Sequence, residues 1–176
     1  TTKRGHMGDL EDLKTKIDRN DYTGFLKLWE EYCYNDEPNA DELIKILKLA
    51  KDSEVEKNFG QHVNRALLVA SEIEIPEKKH KLYKLIFDIQ NINTPELAEY
   101  AYNYLKEKYS QDKYFDKKVR LIGLAEGNDF QHAITGFDLL SHLNVGKFVF
   151  HTAGWGTGEV LDISLIREEA TFEFDF

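Results

Sequence analysis

The feature that most constrains this chain is a change of hydrophobic period. Through residues 7–143 apolar side chains recur at steps of three and four. From residue 144 onward they alternate with polar ones. The first spacing lines up one face of a helix and the second one face of a strand. A long helical part followed by a short β part is therefore expected.

The helical part divides at turn and cap signals. Asp9 is positioned to cap a first helix carrying Leu10, Leu13 and Ile17, which Asn20-Asp21 ends. Phe25, Leu28, Trp29, Tyr32 and Cys33 form the apolar face of a second. After the turn at 35–39, Leu43, Ile46, Leu47 and Ala50 mark a third. Beyond a break at Asp52-Ser53, Val55, Phe59, Val63, Ala66, Leu67 and Ala70 read as a fourth. Pro76 opens a fifth with Leu82, Leu85, Ile86 and Ile89. Thr94-Pro95 is a strong start for a sixth, because Thr caps and Pro lacks only an N–H that would be unsatisfied there. A seventh is predicted from Tyr114 to Ala125, and an eighth carries Phe130, Ile134, Phe137, Leu140 and Leu143.

Paired as hairpins, these helices start near Asp9, Asn39, Pro76 and Asp112, a period of roughly 30–37 residues. The expected fold class is mainly α: a helical hairpin repeat-like array of tetratricopeptide type, then a short truncated antiparallel β module. Trp29 has no counterpart in the later pairs, and a non-repeating bundle is the alternative. The expected division is 7–143 for the array and 144–176 for the β module. Residues 1–6 read as a cloning remnant ahead of Met7.

In the β part, 146–151 alternates like a strand, 152–158 is a glycine-rich turn, 159–166 is a second strand and 170–176 a third. Gly154, Trp155, Gly156 and Gly158 are the structural turn, with glycine supplying positive φ and Trp155 packing on the sheet. The alternation runs to Phe176 without a closing turn, so the chain is expected to be an N-terminal piece of a longer protein. An open sheet edge implies self-association through 159–176 at high concentration.

Composition excludes several functions. A net charge of −9 opposes binding to a phosphate backbone. The best basic cluster, Lys78, Lys79, His80, Lys81 and Lys84, is diluted by Glu72, Glu74, Glu77 and Asp88 and reads as a solvated helix face. No apolar run reaches the roughly 18–20 residues of a membrane span. One cysteine, Cys33, cannot form an internal disulfide, and a cytoplasmic, buried thiol is the simplest reading. The six histidines lack ligand spacing, so no metal site is assigned; His132 and His142 read as surface or helix-cap residues. The glycine-rich turn lacks the Gly-Lys-Ser/Thr and following helix of a phosphate loop, and no cofactor is expected. No nucleophile elbow or triad is visible, hence no catalytic residue and no enzyme. Tyr100, Tyr102, Tyr104 and Tyr109 cannot share one helix face; they read as core or rim, with a peptide-binding groove as the sharper alternative.

Phe148-Val149-Phe150-His151, the glycine-rich turn and Glu159-Val160 resemble the start of the polymerase-interacting domain of CarD-type regulators, a small SH3- or Tudor-like barrel. Together with Phe25-Leu26-Lys27-Leu28-Trp29-Glu30-Glu31-Tyr32-Cys33, they resemble the N-terminal region of the long, chlamydial-type GreA transcription elongation factors. That resemblance covers nearly the whole chain after Met7. It implies a module that binds bacterial RNA polymerase, with the β subunit as the contact through β-augmentation. Carried onto this chain, the contact falls on Ser164, Leu165, Ile166 and Arg167, with Arg167 making a charge-assisted bond. The family's transcript-cleavage activity resides in acidic residues at a coiled-coil tip that bind Mg²⁺ in the polymerase. No such coiled coil stands in these residues. A generic helical scaffold for a protein or peptide unrelated to transcription is the alternative function.

Overall fold

A computed structural model describes residues 6–34, 39–53, 55–125, 129–143, 146–151, 156–164 and 169–174. It is mainly helical, with a small three-stranded antiparallel sheet at the C-terminal end. The helices are α1 (His6–Asp18), α2 (Tyr22–Cys33), α3 (Ala40–Lys51), α4 (Glu56–Phe59), α5 (Ala66–Glu72), α6 (Pro76–Ile89), α7 (Pro95–Lys108), α8 (Phe115–Leu121) and α9 (Ala133–His142). The strands are β1 (Phe148–His151), β2 (Gly156–Ser164) and β3 (Glu169–Phe174).

Local chemistry explains the helix ends. α1 begins at His6, so Asp9 lies in its first turn instead of capping it. Asn20 takes a left-handed φ of 53° and turns the chain into α2. There Asp21 Oδ1 accepts from the Gly24 N–H at 3.0 Å, while its Oδ2 holds Lys16 at 2.7 Å. Asn39 caps α3 through the Glu42 N–H, and Thr94 caps α7 through the Leu97 N–H with Pro95 at the first helical position.

The expected fourth helix is broken. Between α4 and α5 the chain makes a 3-10 turn at Val63–Arg65. Gly60 is the reason: its carbonyl accepts from the Asn91 N–H, and a Cβ on it would stand 2.5 Å from the Asn91 side chain. The segment after α6 lies against the backbone at this point. Val55, Phe59, Val63, Ala66, Leu67 and Ala70 are nonetheless all buried, because short helices and a 3-10 turn keep the same face inward. α8 likewise ends earlier than expected. Gly123, at φ +86°, turns the chain where a Cβ would stand 2.5 Å from the Asp129 carbonyl oxygen. α9 starts only at Ala133, after His132 in the left-handed region (φ 64°).

A row of helices holds the core. α3 packs on α6 and α6 on α9; α1 and α2 close one end, α5 lies against α6, and α7 and α8 lie against α9. Trp29, Phe25 and Phe59 meet edge-to-face, with Trp29–Phe59 ring centroids 4.9 Å apart. The Trp29 indole N–H donates to the His62 carbonyl at 3.0 Å. Among the described residues the buried hydrophobic cluster runs from Leu13 to Phe137 and includes no residue of the sheet. No helix of the described residues is long and apolar enough to cross a membrane.

The sheet is a meander in the order β1-β2-β3. Its register corrects the expected turn. β2 already begins at Gly156, so Gly156 and Gly158 are strand residues; Gly154 and Trp155 lie outside the described residues. Gly158 stands opposite Val149 and Phe174. It is required by close approach and not by positive φ: a Cβ there would lie 2.6 Å from two carbons of the Phe174 ring. An aromatic ring covering a cross-strand glycine is a known register device. Gly158→Ala should therefore unpair the end of β3, at a cost of about 1–3 kcal/mol. Cross-strand NOEs between β2 and β3 should disappear while the helical signals stay, and Phe174→Leu added to the variant should restore part of the pairing. Unchanged NOEs in Gly158→Ala would refute this account.

Candidate functional site

β-Augmentation needs unpaired backbone N–H and C=O groups along a strand. β2 is the central strand, yet its two neighbours are staggered. β1 pairs with Gly156–Glu159, and Gly146 and Lys147 bond Val160. β3 pairs with β2 from Gly158 to Ser164, so that in the far half Asp162, Ile163 and Ser164 face Thr171, Ala170 and Glu169. Leu161 is the extra residue of a β-bulge, 45% exposed. Among the described residues, the β1 side of Asp162–Ser164 therefore carries no strand partner. Ser164, the first residue expected to touch a partner, sits at this overhang with its other side paired to Glu169. Leu165, Ile166 and Arg167 lie outside the described residues. The outer sides of β1 and β3 are the remaining open edges. Phe148, 69% exposed, and Phe172 give them apolar side chains.

A second polar cluster lies within the helices. Asp88, near the end of α6, is buried, with 5% of its surface exposed. Its Oδ1 accepts from the Thr135 hydroxyl at 2.7 Å and meets His132 Nδ1 at 2.9 Å. Its Oδ2 accepts from Lys51 Nζ at 3.1 Å. Its backbone carbonyl accepts from Gln131 Nε2, and the Phe87 carbonyl accepts from the His132 N–H. Burial alone would raise the Asp88 carboxyl. The bonds from Thr135, His132 and Lys51 outweigh it and hold the group below the ordinary carboxylate range. Thr135 donates to the carboxylate and not to a histidine, so the arrangement aligns no nucleophile with a base. It is a clamp joining α3, α6 and the start of α9. His132, expected at a helix cap, does stand at the N-terminal boundary of α9, and its ring closes the clamp.

The basic cluster of α6 is largely directed onto carboxylates. Lys78 reaches Asp41 at 2.8 Å. Lys84 and His80 Nε2 approach Asp138 of α9 at 3.4 and 3.2 Å. His80 Nδ1 lies 2.8 Å from the Tyr104 hydroxyl, and the Tyr109 hydroxyl donates to Asp138 at 3.1 Å. Burial, and then the charge of Lys108, lower His80 below its ordinary range against the pull of Asp138. This network ties α6, α7 and α9 together and, among the described residues, leaves no broad basic face on α6 for a phosphate backbone. The four tyrosines of α7 and its end separate. Tyr102 and Tyr109 pack on Phe115 and Phe137, while Tyr100 and Tyr104 line an opening beside α5 and α6.

Burial also governs Cys33. It pushes the thiol up to about 12, so the group stays protonated at neutral pH and is a poor nucleophile. Among the described residues no three His, Cys, Asp or Glu side chains come together to hold a metal ion. The Asp88 clamp and the β2 overhang both escaped sequence reasoning. The clamp joins residues 37 to 47 positions apart, and the overhang follows from strand stagger, which alternation does not encode.

Over 96% of its length the chain is similar to the transcription elongation factor GreA of Chlamydia pneumoniae, with 37% identity over 169 residues. It is 36% identical over the same length to GreA of Chlamydia trachomatis serovar D. The chain spans about 23% of the length of each of these relatives. The resemblance to the long chlamydial-type GreA proteins thus extends along nearly the whole chain. No family model matches it, and no solved structure does.

Proposed function

We propose that this chain is a polymerase-binding module of a bacterial transcription elongation factor of the GreA type, working in the cytoplasm and carrying no catalytic step itself. The similarity to two chlamydial GreA proteins over 96% of the chain carries this reading. The sheet supports the finer part of it. A strand of the polymerase β subunit, added along the overhang at Asp162–Ser164, would take up the backbone groups that β1 leaves open. Arg167, three residues later in the sequence, would bond a carboxylate of the partner. The same edges would support self-association at high concentration. The helices act as the scaffold that carries the sheet.

The test is binding to purified bacterial RNA polymerase by the chain and by a version ending at Leu143. The shortened version keeps the entire buried helical cluster, so its fold is expected to survive. Binding should be lost with the sheet, and Arg167→Glu should weaken it by about tenfold. Equal binding by the shortened version would move the contact to the helices. No binding by either would leave the generic scaffold reading.

A further inference from the structure

The opening beside α7 has a form that the polymerase reading does not use. A trough of about 550 Å³ runs between α5, α6 and α7. Its floor is aromatic: Tyr83 of α6 and Tyr104 of α7 stack with centroids 4.0 Å apart and planes 11° from parallel, and Tyr100 lies beside them. Its rim is acidic. Glu96, Glu99 and Glu107 stand at i, i+3 and i+11 of α7, which brings them to one face. All three are exposed, and none has an ion-pair partner among the described residues.

The trough continues in both directions. One end passes Ile73, Glu72 and Glu74 in a depression of about 460 Å³. The other passes Leu67, Leu68 and Leu97 in one of about 190 Å³, where Leu68 is 65% exposed. The cations that line these depressions are engaged: Lys79 is turned onto the Ser71 carbonyl at 3.0 Å, Arg65 pairs with Glu30 at 3.0 Å, and Lys108 lies 5.7 Å from the Tyr109 ring centroid. An apolar and aromatic floor between unpaired glutamates matches a ligand with the converse pattern: aliphatic side chains seated below, and ammonium or guanidinium groups reaching the rim and the ring faces.

We propose that the trough between α5, α6 and α7 is a docking groove for a basic, amphipathic polypeptide segment. It is a site on the helices, separate from the sheet edge, and it stands or falls independently of polymerase binding.

The experiment is an NMR titration of the chain with three short peptides of equal length: alternating Lys-Leu, alternating Lys-Ser and alternating Glu-Leu. The Lys-Leu peptide should shift signals of α5, α7 and the first turns of α6, and bind about tenfold more tightly than either other peptide. Glu99→Lys with Glu107→Lys should weaken it by about tenfold, as should Tyr100→Ala alone. Glu11→Lys with Asp12→Lys changes the net charge equally on α1, outside the trough, and should leave affinity nearly unchanged. Equal binding of Lys-Leu and Lys-Ser, shifts scattered over the acidic surface, or equal effects of the two charge reversals would reduce the interaction to nonspecific attraction and overturn the proposal. Concentration-dependent shifts in the trough without peptide would assign it to a second copy of the chain and overturn it equally.

Discussion

Trp29→Ala should destabilise the helical part by about 4 kcal/mol. Among the described residues Trp29 is the largest fully buried side chain, with no accessible surface. It packs edge-to-face on Phe59, stacks on Tyr32 with centroids 6.4 Å apart, and donates to the His62 carbonyl. Alanine removes the transfer energy of an indole, opens a cavity among aromatic neighbours and takes one of two donors from the His62 carbonyl, which keeps the Arg65 N–H. Trp29→Phe separates these effects. It keeps most of the apolar volume and loses the hydrogen bond, so its cost should be nearer 1–2 kcal/mol. Urea denaturation followed by circular dichroism measures both, since the signal does not depend on the residue removed. Equal stability of Trp29→Ala and the native chain would refute the placement of this ring at the centre of the core.

Asp88→Ala should cost about 3 kcal/mol, a shift of roughly 6–12 °C in melting temperature for a chain of this size. The loss comes from what the carboxylate joins. Lys51 of α3, His132 and Thr135 of α9 all converge on it. The cost is moderated because Lys51 and His132 are partly exposed and recover water. Asp88→Asn preserves shape but not charge and should lose about half as much.

The pH dependence has a definite sign. The folded pKa of Asp88 is depressed relative to the unfolded value, so its contribution is fully present above the ordinary carboxylate pKa of about 4. It is lost as pH falls through the depressed folded value. The stability difference between the native chain and Asp88→Asn should therefore be constant near neutral pH and shrink below about pH 4. A difference that does not change with acidification would show that the charge contributes nothing.

Neither residue could be ranked this way before the fold was known. Trp29 was legible as an apolar-face residue of the second helix, but its partners Phe59 and His62 come from the segment that was read as one continuous helix. Along the sequence Asp88 only dilutes the lysine cluster of α6. In space it meets Lys51 of α3 and Thr135 of α9, and Lys84 instead meets Asp138.

What the sequence determined by itself was everything carried by local periodicity and local capping. Helical steps of three and four, the turn at 35–39, Thr94 as a cap, Pro76 and Pro95 as first helical residues, and alternation in the last thirty residues act over a few positions, so a linear reading suffices. The resemblance to chlamydial-type GreA proteins was legible for a similar reason, since it resides in residue order. Only the tertiary structure decided where Gly60 and Gly123 interrupt expected helices, because Gly60 lies against Asn91 and Gly123 against the Asp129 carbonyl. It alone decided that Gly158 is a strand residue beneath Phe174, that β2 overhangs β1, and that three glutamates of α7 surround stacked tyrosines. Each of these depends on which distant segments lie side by side, and that is settled by packing of the whole core, not by any window of the chain.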